Sequence, residues 1–140
     1  MDIARGHDVL PIGRVHSTLE RRDQAPKQGF EGAPDARLEI FPEFIAGLEG
    51  IAVGDEIIVL TWLHQGERQV LKVHPRDDES RPQVGVFATR SSDRPNPVGL
   101  HRVKVLGVEP TGWLHVQGLE AIDNTPVIDI KPALRKQTDS

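Results

Sequence analysis

The stretch that decides the fold reads VKVLGVEPTGWLHVQGLE and covers residues 103–120. Val103, Val105 and Val108 indicate one strand, and residues 113–120 indicate a second. The Pro-Thr-Gly sequence at 110–112 lies between them, and these are residues that favour turns. The stretch therefore predicts two antiparallel strands joined by a tight turn.

The same pattern extends along the chain, because 13 glycines and 11 prolines are spread throughout it. Short apolar segments between them predict further strands at residues 9–15, 38–40, 56–64, 67–74, 84–89 and 127–130. Segment 56–64 has the strongest β-branched core, and 67–74 is predicted to pair with it. Pro42 opens a helical turn that Gly50 ends, and polar loops cover 16–35 and 90–99. We predict a mainly β fold, a small antiparallel β-barrel with little helix.

Length and composition bound the class of protein. The chain has 140 residues, 37% of them hydrophobic and 27% charged, which is typical of one globular domain spanning residues 1–140. The absence of cysteine excludes disulfides, thiolate metal sites and cysteine nucleophiles. The longest aliphatic run, residues 57–60, is far shorter than the roughly 20 residues of a membrane span. The charged N-terminus is unlike a signal peptide, so we expect a cytoplasmic protein with no membrane partner.

The charge distribution is uneven. The net charge is −4, whereas proteins that hold nucleic acid through phosphate contacts are usually basic. Residues 81–104 are a local exception, since their only acidic residue is Asp93 and their cations are Arg81, Arg90, Arg94, Arg102 and Lys104. Any nucleic acid is therefore expected to contact this segment.

The most informative block reads GVFATRSSDRPNPVGL and covers residues 85–100. Pro95 and Pro97 fix the backbone on both sides of Asn96, which makes a preorganised loop suited to binding. Arg90 and Arg94 lie four residues apart beside it. From these residues alone, a stiff turn whose arginines pair with surface carboxylates is an equally good interpretation.

The block closely resembles the signature of the TsaA-like tRNA methyltransferases, which methylate the N6 nitrogen of threonylcarbamoyladenosine next to the tRNA anticodon. Three further segments resemble the same family in the same order: IGRVHS at 12–17, APKQ at 25–28, and GLEAIDNTPVIDIKP at 118–132. The resemblance covers nearly the whole chain. It implies a short form of the family, without the additional C-terminal domain of its long members.

The resemblance implies a non-Rossmann β-barrel that acts as a homodimer and binds S-adenosylmethionine near the subunit interface. The cofactor contacts that it implies are Lys27, Gln28, Gly29, His64, Gln65, Arg90, Leu100, Gly118, Leu119 and Glu120. Leu100 and Leu119 are expected to sandwich the adenine, and Arg90 to bind the carboxylate of the amino-acid tail. Gln28 or Glu120 is expected to bind ribose or amino groups. The substrate, the anticodon loop of tRNA, is expected to contact Arg94, Asn96 and Arg102.

The target nitrogen belongs to a urea-like group and must lose a proton, so a carboxylate base is expected near it. Asp129 is the first candidate and Asp123 the second, while Lys131 would stabilise negative charge on the carbamoyl oxygen. A salt bridge between Asp129 and Lys131 is the structural alternative.

Two function classes stay open. One is the tRNA methyltransferase; the other is an S-adenosylmethionine-binding barrel that methylates a small molecule or only binds the cofactor. The acidic net charge slightly favours the second class, and the signature favours the first more strongly. The histidines have no metal-ligand spacing, so no metal site is expected.

Overall fold

The computed structural model describes residues 6–19 and 35–134, and these residues contain eight strands. They are β1 (Gly13–His16), β2 (Ala36–Ile40), β3 (Glu56–Trp62), β4 (Lys72–Val73), β5 (Val84–Gly85), β6 (Val98–Val108), β7 (Trp113–Gln117) and β8 (Pro126–Pro132). Three short 3-10 helices cover Pro42–Leu48, Pro75–Asp77 and Val86–Ala88.

Six strands close into a barrel in the order β1-β2-β7-β6-β3-β8, with β8 pairing back to β1. All of these pairs are antiparallel. The register shifts once between β3 and β8 and once between β6 and β7. Such bulges increase the local twist and help a small sheet to close on itself. The predicted antiparallel barrel with little helix is therefore confirmed.

The core lies inside the barrel, because alternate side chains of each strand point inward. In β3, Ile57 and Val59 are buried, and in β6 Val103 and Val105 are buried, with Val103 opposite Ile57. Charged residues such as Arg102 and Lys104 occupy the intervening outward positions of β6. The turn between β6 and β7 needs Gly112, whose φ is +103° and whose added Cβ would lie 2.8 Å from the Ile40 carbonyl oxygen.

The two ends of the barrel differ. At one end the 3-10 helix Pro42–Leu48 and the following Ile51 pack against the core through Phe44, Ile45 and Leu48. At the other end β3 ends and β6 and β8 begin, and the β4–β5 hairpin forms a separate two-stranded sheet. One end of the barrel is thus closed by apolar side chains, and the other end is open and can form a binding site.

Two predicted strands are wrong. Residues 67–74 contribute only β4, which pairs with β5, because β6 and β8 already occupy both edges of β3. Residues 84–89 form β5 and then turn into the 3-10 helix Val86–Ala88. The other strands agree within a few residues, except that β1 begins at Gly13 and not at residue 9.

Candidate functional site

A cleft of about 1190 Å³ lies at the open end of the barrel. We call it the main cleft. Its walls come from residues 63–66 after β3, from the β4–β5 hairpin, from the loop before β6, from the start of β6 and from residues 120–122. The volume is on the scale of small-molecule sites, which occupy roughly 300–1,000 Å³. Segments distant in sequence therefore meet around a space large enough for a nucleoside-sized ligand.

Seven of the twelve predicted site residues that the structure describes line the main cleft. Those predicted to bind the cofactor are His64, Gln65, Arg90, Leu100 and Glu120. Of those predicted to bind the substrate, Arg94 and Asn96 are also in the lining. The apolar part of the lining includes Phe87, which is 79% exposed, and Leu100 on the outer face of β6.

Three other predicted residues lie outside the cleft lining, and a further three are not described by the structure. The side chain of Leu119 is fully buried in the barrel core, so it does not form an adenine sandwich with Leu100. Gly118 ends β7 with φ at +90° and is not in the lining. Arg102 lies on the outer face of β6, where its Nη2 is 2.5 Å from the Glu56 carboxylate. Lys27, Gln28 and Gly29 lie outside the described residues, so their role stays a prediction.

Asp129 and Lys131 are outside the main cleft. They project from the outer face of β8, where Lys131 Nζ lies 3.8 Å from Asp129 Oδ2. Asp129 borders a second, smaller pocket beside the 3-10 helix Pro42–Leu48. In one chain, therefore, the predicted base is separate from the predicted cofactor residues. Asp123 accepts a hydrogen bond from the Ser17 backbone N–H at 3.0 Å. It is next in sequence to Ile122, which lines the main cleft, but is not itself in the lining.

The signature loop, residues 89–97 of the signature block, is held by two arginines. One is Arg94 of the loop itself, and the other is Arg68, which the sequence analysis did not identify. Arg94 donates to the carbonyl oxygens of Thr89 and Ser91, at 2.9 and 3.2 Å. Arg68 donates to the Pro95 carbonyl at 2.7 Å and to Asn96 Oδ1 at 3.0 Å. The Asn96 side chain thus has a structural partner. Rigid loops favour binding because less entropy is lost when the ligand arrives.

A mostly buried polar group lies at the floor of the main cleft, whose lining includes its members His101 and Glu120. His101 points into the barrel from β6 and is 4% exposed. Its Nε2 is 2.7 Å from Thr61 Oγ1, and its Nδ1 is 2.6 Å from Glu120 Oε1. The sequence carries a signal for this group, since Thr61 and His101 are polar residues at inward positions of two paired apolar strands. That signal becomes visible only once the pairing of β3 with β6 is known.

The β4–β5 hairpin forms one wall of the main cleft and contributes cations and strained backbone to it. Arg76 and Arg81 both line the cleft. Arg76 and Asp77 have φ values of 53° and 59°, in the left-handed region that non-glycine residues seldom adopt. Strain of this kind persists where the surrounding structure holds it, and it concentrates at functional sites.

Two carboxyl groups away from the cleft floor have perturbed pKa values. Hydrogen bonds from His16 and Arg14 lower the pKa of Glu39, which links β1 to β2. Hydrogen bonds from the Ser80 side chain and backbone lower the pKa of Asp78, at the tip of the hairpin. One perturbation therefore belongs to the barrel and the other to a cleft wall.

Two absences apply to residues 6–19 and 35–134. They contain no group of three histidine, aspartate or glutamate side chains placed to hold a metal ion. Nor do they form a helix with the length and apolarity needed to cross a membrane.

Comparison with known proteins supplies a family. The model of the tRNA-methyltransferase O N-terminal domain family matches residues 14–140. A protein of Methanothermobacter thermautotrophicus named "Probable S-adenosyl-L-methionine-binding protein" is 45% identical over 124 residues, which cover 89% of this chain and 88% of that protein. An S-adenosyl-L-methionine-binding protein of Archaeoglobus fulgidus is 43% identical over 123 residues, 88% of this chain and 86% of the other.

The fold comparison agrees. The crystal structure of TrmO from Pseudomonas aeruginosa superposes with a TM-score of 0.75 at 31% identity. The match covers 97% of this chain and 60% of the TrmO chain, so this chain spans about three fifths of that protein.

Proposed function

The chain belongs to the tRNA-methyltransferase O N-terminal domain family, and from that premise we propose that it is an S-adenosylmethionine-dependent methyltransferase that binds its cofactor in the main cleft. One observation carries the proposal. His64, Arg90, Leu100 and Glu120 lie far apart in sequence, were assigned to the cofactor from sequence resemblance, and line the same cleft. The names of the archaeal relatives, which describe binding of this molecule, support the same assignment.

The chemistry of the lining fits S-adenosylmethionine. The exposed side chains of Phe87, Val98 and Leu100 offer apolar surface for the adenine ring. Arg90 offers a guanidinium that can bind a carboxylate through two hydrogen bonds. Glu120 offers a carboxylate for hydroxyl or ammonium donors. The adenine ring, the carboxylate and a hydroxyl or ammonium group of the cofactor therefore have suitable partners.

We further propose that the substrate is tRNA and that the methyl group goes to the N6 nitrogen of threonylcarbamoyladenosine next to the anticodon. The family description supports a tRNA substrate. Arg76 and Arg81, which line the cleft from the β4–β5 hairpin, could attract the phosphates of a single-stranded loop. A tRNA substrate would place the protein in the cytoplasm.

When bound, S-adenosylmethionine supplies an activated methyl group on its sulfonium. The main contribution of the chain is then positioning, because a rigid cleft that aligns donor and acceptor removes much of the entropic barrier. The rigid signature loop, held by Arg68 and Arg94, suits this role. As the target nitrogen gains the methyl group, its proton passes to a carboxylate, for which Asp129 is the first candidate and Asp123 the second. Lys131 would stabilise the developing charge.

The position of Asp129 suggests how it could act at a cleft that it does not line. Asp129 is opposite Leu60, and Leu60 is opposite Leu100 of the cleft. Neighbouring strands lie about 4.8 Å apart, so Asp129 is about 10 Å from Leu100 on the same outer face. A second copy that packs on this face would have its own Asp129 near the boundary of the cleft.

We therefore propose a homodimer formed through the outer face of β3 and β6. Ile58, Leu60 and Trp62 of β3 lie on this face opposite Arg102, Leu100 and Val98 of β6. The three β3 side chains are half-buried, whereas Val98 and Leu100 are exposed. A contiguous apolar surface of this kind favours a protein partner. Light scattering should give a dimer, and Leu60→Glu should give a monomer with weakened cofactor binding. A stable wild-type monomer that binds S-adenosylmethionine would contradict this interface.

The charge distribution gives some support to a second candidate function. The five cations of residues 81–104 do not form one surface, because Arg102 pairs with Glu56 and Arg94 bonds its own loop. Together with the net charge of −4, this favours an S-adenosylmethionine-binding barrel that methylates a small molecule or acts without catalysis. Binding of tRNA that falls steeply with rising salt would support the first function.

The decisive experiment incubates the purified protein with methyl-labelled S-adenosylmethionine and tRNA that contains threonylcarbamoyladenosine, followed by nucleoside analysis. Label on that nucleoside would establish the reaction. The Asp129→Asn variant should lose the label, whereas Glu49→Gln, a change at an exposed carboxylate after the 3-10 helix Pro42–Leu48, should keep it. If Asp129→Asn were fully active, Asp123 would become the proposed base. Cofactor binding without labelled nucleoside would favour the second function.

A further inference from the structure

Three polar side chains interrupt the apolar interior of the barrel at the end that carries the main cleft. Thr61 is fully buried and His101 is 4% exposed. Glu120 lies at the boundary between interior and cleft, with its side chain 16% exposed. Burying polar groups is unfavourable unless they are hydrogen-bonded, so a group of three in a small barrel requires an explanation.

The chemistry of the carboxylate assigns the direction of one hydrogen bond. A carboxylate only accepts, so His101 Nδ1 carries a proton and donates to Glu120 Oε1 at 2.6 Å. On the other side of the ring, Nε2 shares a hydrogen bond with the Thr61 hydroxyl across 2.7 Å. Thr61 therefore fixes the orientation of the imidazole, and the imidazole fixes one oxygen of Glu120.

Gly99 makes room for this arrangement. It is opposite Thr61 in the β3–β6 pair and two residues before His101. An added Cβ at this position would overlap Thr61 Oγ1 and lie 2.7 Å from His101 Nε2. Any side chain at this position would therefore separate the Thr61 hydroxyl from the imidazole.

One oxygen of Glu120 is left available by the protein. Glu120 lines the main cleft, and no residue within 6–19 or 35–134 hydrogen-bonds to its Oε2. Since every buried side-chain nitrogen or oxygen among these residues has a partner, Oε2 is not fully buried. A carboxylate oxygen in a cleft lining, without a partner among the described residues, is suited to a ligand that donates a hydrogen bond.

We propose that His101, braced by Thr61, is a positioning residue that orients the Glu120 carboxylate so that Oε2 accepts a hydrogen bond from a hydroxyl or ammonium group of bound S-adenosylmethionine. This inference rests on the proposed function. His101 is 4% exposed, and its proposed role is to fix the carboxylate before the ligand arrives, which lowers the cost of binding.

Two substitutions separate positioning from a merely structural role. In His101→Asn the amide nitrogen can occupy the place of Nδ1 and keep the bond to Glu120. In His101→Gln the amide reaches the place of Nε2 and keeps the bond to Thr61 but loses Glu120. Titration calorimetry with S-adenosylmethionine should therefore give the Asn variant a Kd near that of the wild type. The Gln variant should lose about tenfold or more in affinity, the effect of a hydrogen bond to a charged group.

Thermal unfolding provides the second readout, since a structural role would make affinity follow stability. We expect both variants to be destabilised and only the Gln variant to lose affinity. His115→Gln is the matched control, because His115 Nε2 contacts the Glu109 carboxylate at 2.7 Å on the outer face of the barrel, away from the cleft. It should leave the Kd unchanged. If the His101 variants do not fold, Thr61→Val carries the test, with a smaller loss of affinity expected.

The outcomes are distinguishable. A wild-type protein that does not bind S-adenosylmethionine would contradict the proposed function. Wild-type binding with an unchanged Kd in His101→Gln would overturn the positioning role and leave the proposed function intact. Equal losses of affinity in the Asn and Gln variants would also overturn it, because the bond to Glu120 would then not be the part that matters.

Discussion

The barrel interior and the walls of the main cleft are held by different interactions. In the interior, fully buried apolar side chains such as Val59 and Leu114 pack together, and backbone ladders supply the hydrogen bonds. In the walls, residues 63–68 and 89–97 are joined by side chains that bond to backbone or to other side chains, with Arg68 and Asp93 as the main contributors. The difference means that stability and ligand binding can be changed separately.

The largest effect on stability is expected from Leu114→Ala in β7. Leu114 is fully buried, and truncation of such a side chain leaves a cavity that typically costs about 2–5 kcal/mol. Chemical denaturation measures this loss. Leu106→Ala is the control, since Leu106 is exposed on the outside of β6 and should change stability by roughly 0.5 kcal/mol or less. Equal losses would mean that the interior does not carry the stability.

Gly99→Ala tests the boundary between the two regions. The added methyl group would collide with Thr61 and His101, and overpacking of this kind costs about 1–3 kcal/mol. It should also weaken ligand binding, because Glu120 would lose its oriented imidazole. Gly107→Ala in the same strand is the matched control, since its nearest neighbour, His115 Cδ2, would be 3.5 Å away. A Gly99 variant as stable as the Gly107 variant would contradict the crowding.

Arg68→Ala tests the cleft wall alone. Arg68 lies over the Trp62 ring at 5.2 Å and also bonds the signature loop, whereas Arg37 lies over the Trp113 ring at 4.6 Å on the barrel. Arg68→Ala and the control Arg37→Ala should each cost about 1 kcal/mol of stability or less. Only Arg68→Ala should raise the Kd for S-adenosylmethionine, because only that change frees the loop. Equal affinities in calorimetry would contradict a role for loop rigidity.

The smallest effects are expected on acidification. The pKa values of Glu39 and Asp78 are both lowered in the folded chain, so each group stabilises the fold above its ordinary pKa. That contribution is lost as the pH falls through the lowered pKa. Glu39 joins two barrel strands, so Glu39→Gln should flatten the acid limb of global stability. Asp78 bonds only within its loop, so Asp78→Asn should change hydrogen exchange in the hairpin alone. Global sensitivity to Asp78 would contradict the independence of the hairpin.

The sequence predicted the barrel better than the walls of the cleft. Strands such as β3 and β6 carry apolar residues at alternate positions, and this period is set by the pleat of the strand itself. Residues 67–74 also contain apolar residues, but the edges of β3 are occupied by β6 and β8. Competition for a strand edge is a property of the whole sheet, so no local pattern could reveal it.

For the candidate site too, the sequence predicted what depends on local motifs and missed what depends on tertiary structure. The signature block identified Arg90 and Leu100, because a family signature records residue types at fixed spacing. It could not show that the Leu119 side chain belongs to the core, since Leu100 and Leu119 are equally apolar in the sequence. It also could not separate Arg102 from the cleft, because Leu100 and Arg102 share the outer face of β6 and only the start of that strand borders the cleft.

The sequence by itself determined the class of the fold, the family and seven of the residues that line the main cleft, because these depend on local periodicity and on motifs. Only the tertiary structure decided that Thr61, His101 and Glu120 form one group, and that Asp129 lies two strands away from Leu100 on the outer face. The physical reason is closure of the barrel. Register between strands fixes which side chains share a face and which meet inside, and register is set by the packing of all six strands together.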